Sequence, residues 1–152
     1  MRAYFFGNQY ISSIQQGIQA GHVLSELFIK YNHYGYAGTS DCTMLYDWAT
    51  DHKTMILLNG GYSETLRELY AFLSSEENPY PYANFHEGQD ALDGALTSVG
   101  IILPEKIYGI DPKLVPDSVY FATHFFFPYN SEEYSQWETE LIQRLSQFSL
   151  AR

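Results

Sequence analysis

Positive charge is scarce in this chain: eight lysines and arginines stand against eighteen aspartates and glutamates, for a formal net charge of -10 over 152 residues. Proteins that grip nucleic acid through its phosphates need a basic face, so a long polyanion is excluded as the default partner and only a local basic pocket would serve one. Cysteine is nearly absent. Cys42 is the single one, which forbids an intrachain disulfide and excludes a secreted scaffold stapled by disulfides. With no base beside it in the sequence, it reads as a structural thiol and not as a nucleophile. Long apolar runs are missing too. The opening "MRAYFFGNQY" is too short for the apolar core of a signal peptide, and no later run approaches a membrane span. A cytoplasmic protein with no membrane partner is expected, and no internal repeat is visible.

What remains is ordinary for a folded chain. An apolar content of 45% with 17% charged residues suits a globular domain and not a disordered segment. The length suits one domain, 1–152, with a real core. "RAYFFGNQ" reads as a strand over Arg2 to Gly7, and Ser12 and Ser13 offer an N-cap for a helix running to about Tyr31. "YNHYGYAGTSDC" reads as a loop. "KTMILLNGG" reads as a strand covered on both faces, and "SETLRELYAFLSS" as a helix in which Leu66, Leu69, Tyr70 and Leu73 share a side. "YANFH" and "LTSVGIIL" complete the strands. Strands alternating with helices imply an α/β fold, a three-layer sandwich with a mixed sheet of four or five strands. From Pro104 a proline-rich stretch leads to "VYFATHFFF", a candidate extra strand. Asn130 with Glu133 resembles a capping box for a last helix bearing Tyr134, Trp137, Leu141, Leu145 and Phe148 on one face. Residues 104–152 are expected to form a C-terminal helical extension packed on a 1–103 core.

The first helix, "SSIQQGIQAGHVLSELF", carries the strongest functional signal. Ile14, Ile18, Ala20, Val23, Leu24, Leu27 and Phe28 spread over more than half of its circumference, so the helix should be mostly buried. Gln15, Gln19, His22 and Glu26 follow spacings of four, three and four and form one polar stripe. A solvated edge is usually richer in Lys and Glu than in Gln and His, so the stripe points to a helix that lines a site. Gly17 and Gly21 lie on the other side, where the close approach of a neighbouring element would account for them.

A strand, a serine-rich turn and then "QGIQAGHVLSELF" resemble the first strand and helix of the type 2 peptidyl-tRNA hydrolase family. "KTMILLN", "SETLRELYAFL" and "ANFHEGQDALDGALTSVGIIL" resemble, in order, its second strand, next helix and paired last strands, covering roughly residues 1–103. The resemblance implies that Gln19 and His22 match the family's helix glutamine and histidine, and that Thr97 matches the threonine opening its last strand. The catalytic aspartate would be Asp90, with Asp93 as the alternative. The family's helix lysine falls on Gln15, and its second active-site threonine has no counterpart in "QDALDGALT". A neutral amide supplies no fixed positive charge for a phosphate or an oxyanion. The resemblance also implies a homodimer.

Other constellations have plainer readings. "HEGQD" gathers His86, Glu87 and Asp90, which could suggest a metal, but without a second histidine at helical spacing it reads as a turn, and no metal or other cofactor is expected. "NGGYSE" places Gly60 and Gly61 before a helix N-terminus that could receive an anion, yet it lacks the lysine of a P-loop. The fourteen tyrosines cluster in "YNHYGY" and "NPYPY", where they would cover core edges or stack on a base. The leading expectation is a protein that binds a small polar or nucleotide-like ligand without hydrolysis, of the kind a phage could use to sequester a signalling nucleotide. Gln15, Gln19, His22, Glu26, Asp90 and Thr97 would line its cleft. The enzyme alternative is a peptidyl-tRNA hydrolase acting on tRNA, with Asp90 and Thr97 catalytic and Lys30, Lys53 or Arg67 supplying the missing cation. The third reading is a protein-interaction module.

Overall fold

The computed structural model describes residues 1–32, 40–110 and 134–151. Strand β1 (Arg2–Gly7) leads into helix α1 (Ser13–Lys30). A second helix, α2 (Ser40–Asp47), continues through a π-helical turn (Trp48–His52) into β2 (Met55–Asn59). Then come α3 (Ser63–Leu73), β3 (Tyr82–His86), the short α4 (Gln89–Leu92) and β4 (Leu96–Leu103). The four strands form one mixed sheet in the order β2-β1-β4-β3. β1 and β2 run parallel, whereas β4 is antiparallel to both of its neighbours.

Alternation along β1 sends Phe5 and Phe6 to opposite faces of the sheet. Phe5 joins Ala20, Val23, Leu27, Trp48 and Ile102 in the core beneath α1. Phe6 lies with Leu66 of α3, as the surroundings of Gly60 record. Helices therefore cover both faces, and the fold is a three-layer α/β sandwich. Each fully buried Phe or Leu contributes roughly 1.5–3 kcal/mol through removal of its surface from water. Gly100 of β4 lies under this packing, where a Cβ would sit 2.8 Å from both Phe5 and Val23.

Several expectations are corrected. The segment read as a loop through Cys42 already contains the start of α2, whose Leu45 is buried, as is Trp48 just beyond it. That i, i+3 pair is the signal that a polar, glycine-rich neighbourhood obscured. β2 is an edge strand and only Leu58 of its residues is buried; its outer side is met by Ser149 and Ala151, where Asn59 N donates to Ser149 O and Ala151 N to Leu57 O, both near 3 Å. On α1 the buried face is Gln16, Gln19, Ala20, Val23 and Leu27, while Ile14 and Ile18 are 77% and 54% exposed. Gly17 and Gly21 have nothing of the described residues within 4 Å of where a Cβ would stand, so no described neighbouring element requires them.

Contacts divide the chain into two compact units, Met1–Leu103 with Ser149–Arg152, and Pro104–Phe148. In the second, α5 (Glu105–Tyr108) and α6 (Gln136–Leu145) are joined by a Lys106–Glu138 ion pair at 2.6 Å and by Tyr134, whose hydroxyl donates to Lys106 O at 3.0 Å. The capping box of α6 is Ser135 with Glu138. Asn130 and Glu133, expected in that role, lie outside the described residues, as does "VYFATHFFF". Among the described residues no helix is long and apolar enough to cross a membrane.

Candidate functional site

The site is built where α1 passes the ends of β3 and β1 and the start of β4. Ser12 and Gln15 form a reciprocal capping box: Gln15 N donates to Ser12 Oγ at 3.3 Å, and Ser12 N donates to Gln15 Oε1 at 3.0 Å. Gln15, expected to touch ligand, is thus exposed and engaged in starting the helix. One turn on, Gln19 is 5% exposed. Its Nε2 donates to Glu87 Oε1 at 2.5 Å, and its Oε1 accepts from Thr97 Oγ1 at 3.0 Å. A buried amide with both ends satisfied is held in one orientation, since leaving either end unpaired would cost about 1–3 kcal/mol.

Thr97 owes its position to a β-bulge. The β3–β4 register runs Phe85↔Ser98 and then His86↔Leu96, so Thr97 is the extra residue. A bulge bends the strand and re-aims a side chain. Here Thr97 Oγ1 also lies 3.3 Å from Phe85 O, and its carbonyl accepts from Asn8 N at 2.9 Å. The turn before it closes through Asp93 and Gly94, both left-handed, at φ 51° and 70°; glycine accepts this conformation without a Cβ penalty.

His22 stacks on Phe85 with ring centroids 4.4 Å apart and planes inclined by 15°. It is exposed and stands one turn along the same stripe from Gln19. Glu26, further along, is half-buried and makes no hydrogen bond or ion pair among the described residues. The structure therefore brings Gln19, His22 and Thr97 together, and Asp90 does not join them. Asp90 lies in the first turn of α4, a helical turn whose four residues are all exposed, and it makes no hydrogen bond or ion pair with any of the three. Asp93 is also exposed.

Sequence reasoning missed Glu87 as a member of this group, having weighed it only as a metal ligand; no local pattern announces that a residue just past a strand end will meet a helix glutamine. Asn8 and Gln16, both polar and buried, also went unremarked. Asn8 Nδ2 donates to Ser63 Oγ and Leu96 O, tying the end of β1 to α3 and β4. Gln16 Nε2 donates to Ile11 O at 3.1 Å, while its Oε1 is buried without a partner among the described residues. That oxygen lies 3.0 Å from where a Gly7 Cβ would be, so Gly7 makes room for the Gln16 side chain.

None of the three cations expected to replace the helix lysine reaches this place. Lys30 is about four helical turns, roughly 22 Å, beyond Gln15; its Nζ donates to Tyr82 O at 3.1 Å and rests 3.4 Å from the Tyr82 ring centroid. Lys53 precedes β2 at the opposite end of the sheet, near Ala3. Arg67 pairs with Glu64 on α3, across the sheet. The glycine turn before α3 is internally occupied, since Gly60 N donates to Gly7 O and Gly61 N to Asn59 Oδ1; those N–H groups are not open to an anion. His86 Nδ1 contacts Gly94 O at 2.9 Å. Among the described residues no three His, Cys, Asp or Glu side chains converge as metal ligands would. The side chain of Cys42 and the residues Tyr34 and Tyr36 lie outside those described. Tyr31 and Tyr80 are buried, and Tyr31 Oη accepts from Tyr82 N at 3.2 Å.

Chemically, the cluster presents a half-buried carboxylate, oriented by the buried Gln19 amide, and an exposed imidazole on an aromatic ring. Glu87 has no ion pair among the described residues. No known protein-family model matches the chain, and no curated protein matches it either.

Proposed function

We propose that the protein binds a small, polar, nucleotide-like ligand beside α1 and does not hydrolyse it. The observation that carries this reading is the Gln19 amide, held between Thr97 and Glu87 next to the exposed His22 ring, with no cation among its partners. Oriented hydrogen-bonding groups beside an aromatic surface suit recognition of a heterocycle. The same lack of a cation, with Gln15 spent on a helix cap and Asp90 apart from Thr97, argues against gripping tRNA and stabilising an oxyanion. The location of the cleft follows the likeness to type 2 peptidyl-tRNA hydrolases drawn from the sequence, with Gln19, His22 and Thr97 at the matching positions. The reading includes a role in sequestering such a ligand.

The test is a peptidyl-tRNA hydrolysis assay with wild type and Asp90→Ala side by side, paired with thermal melts in the presence of nucleosides and nucleotides. Ligand-dependent stabilisation without turnover is expected. Turnover that is lost in Asp90→Ala would restore the hydrolase.

A second reading, an interaction module or homodimer, draws on one specific feature. Ile14, Ile18 and Ile29 are 77%, 54% and 64% exposed on α1, a concentration of apolar surface on one helix that often marks an interface. Light scattering of wild type against Ile14→Glu/Ile18→Glu tests it: a wild-type assembly that the variant dissolves would favour this reading.

A further inference from the structure

We infer that Glu87 sets the specificity of this site, and that the group it recognises is a planar pair of parallel N–H donors, as on the edge of a guanine-type base or on a guanidinium. The inference rests on the binding reading above and narrows its ligand class. An ionised carboxylate accepts hydrogen bonds on two oxygens and donates none. Gln19 Nε2 takes one position on Oε1 at 2.5 Å, and no other described residue bonds the carboxylate, which leaves Oε2 and the outer side of Oε1 for a bidentate partner. The carboxylate is held in advance of binding: Gln19 is fixed by Thr97 Oγ1, Thr97 is fixed by the bulge, and Glu87 N donates to Ala95 O at 3.0 Å. Preorganisation lowers the ordering cost that binding would otherwise incur.

Charge separates the ligand classes. Glu87 is half-buried and meets no lysine or arginine among the described residues, within a chain of net charge -10. A phosphate or carboxylate brought against it would be repelled, whereas N–H donors on a charged acceptor form the stronger class of hydrogen bond. An adenine edge offers one donor beside an acceptor, and that acceptor would oppose a carboxylate oxygen. The exposed His22, stacked on Phe85 one turn from Gln19, supplies a ring surface for a flat ligand. The base or the guanidinium, and not an attached phosphate, is therefore the recognised part.

The experiment is calorimetric titration of wild type and Glu87→Gln with guanosine, inosine, adenosine, GMP and agmatine. The Gln substitution keeps an acceptor for Gln19, and an unligated melt of the variant checks that it folds; His22→Ala serves as a second variant that removes the ring surface and leaves the carboxylate. Guanosine or agmatine is expected to bind, and which of the two does so identifies the source of the donor pair. If guanosine is the ligand, inosine, which lacks the amino group, should bind about tenfold more weakly, and adenosine more weakly still. GMP should bind no more tightly than guanosine. Glu87→Gln should lose at least tenfold, and His22→Ala should weaken guanosine. If adenosine or inosine matches guanosine, or Glu87→Gln binds like wild type, the specificity inference falls while the binding reading stands. If none of the five binds at millimolar concentration, both fall.

Discussion

Replacing Gly17 and Gly21 by alanine should stabilise the first unit, and the structure supplies both sign and size. Each glycine lies inside α1 with ordinary helical φ and, among the described residues, with nothing within 4 Å of an added Cβ. Alanine there restricts the unfolded chain and removes the helix penalty of glycine, a gain of about 0.5–1 kcal/mol per site. The double variant should therefore gain about 1–2 kcal/mol, raising Tm by roughly 2–4 °C per kcal/mol in a chain of this length. Urea melts followed by fluorescence of the buried Trp48, with Trp137→Phe as the common background, read the first unit alone. The midpoint should rise with the slope unchanged. Gly100→Ala is the control of opposite sign, because its Cβ would meet Phe5 and Val23 at 2.8 Å in the core; overpacking there should cost about 1–3 kcal/mol. A double variant no more stable than its parent would refute the reasoning and mean that something approaches this face of α1 after all.

Thr97→Val removes the donor that satisfies buried Gln19 Oε1 and should cost about 1–3 kcal/mol; an unchanged urea midpoint would mean the amide finds another partner. Ser12→Ala deletes the α1 capping box and should cost about 1 kcal/mol, read from the same melts. In the second unit, Lys106→Met leaves the largely buried Glu138 without its 2.6 Å ion pair. A loss of about 1.5–3 kcal/mol is expected, measured by Trp137 fluorescence in a Trp48→Phe background, and no loss would show that the pair is balanced by its desolvation.

The polar stripe of α1 was visible as a spacing, but its members meet different fates. Gln15 and Gln19 share a residue type and a face, yet one caps the helix in water and the other is buried against β4. The difference lies in what the sheet brings near each, and helical periodicity carries no information about that. Asp90 and Glu87 are three residues apart in one short segment. Only the turn built on Gly88, Asp93 and Gly94 decides that Glu87 meets α1 while Asp90 faces water. The cations Lys30, Lys53 and Arg67 could be named from the sequence, but where the sheet places Lys53 and Arg67 relative to the site could not.

The sequence by itself determined the four strands and the helices α1 and α3, because apolar periodicity, serine caps and glycine turns act within one element; α2 and α4 escaped it. It also determined the shortage of positive charge, which no arrangement can undo. Tertiary structure decided which glutamine is buried, that a bulge aims Thr97 at it, that Glu87 completes the group and that Ile14 and Ile18 remain exposed. Those outcomes depend on strand register and on contacts between residues as far apart as Gln19 and Thr97. Such pairings arise from the packing of whole elements, and no local pattern encodes them.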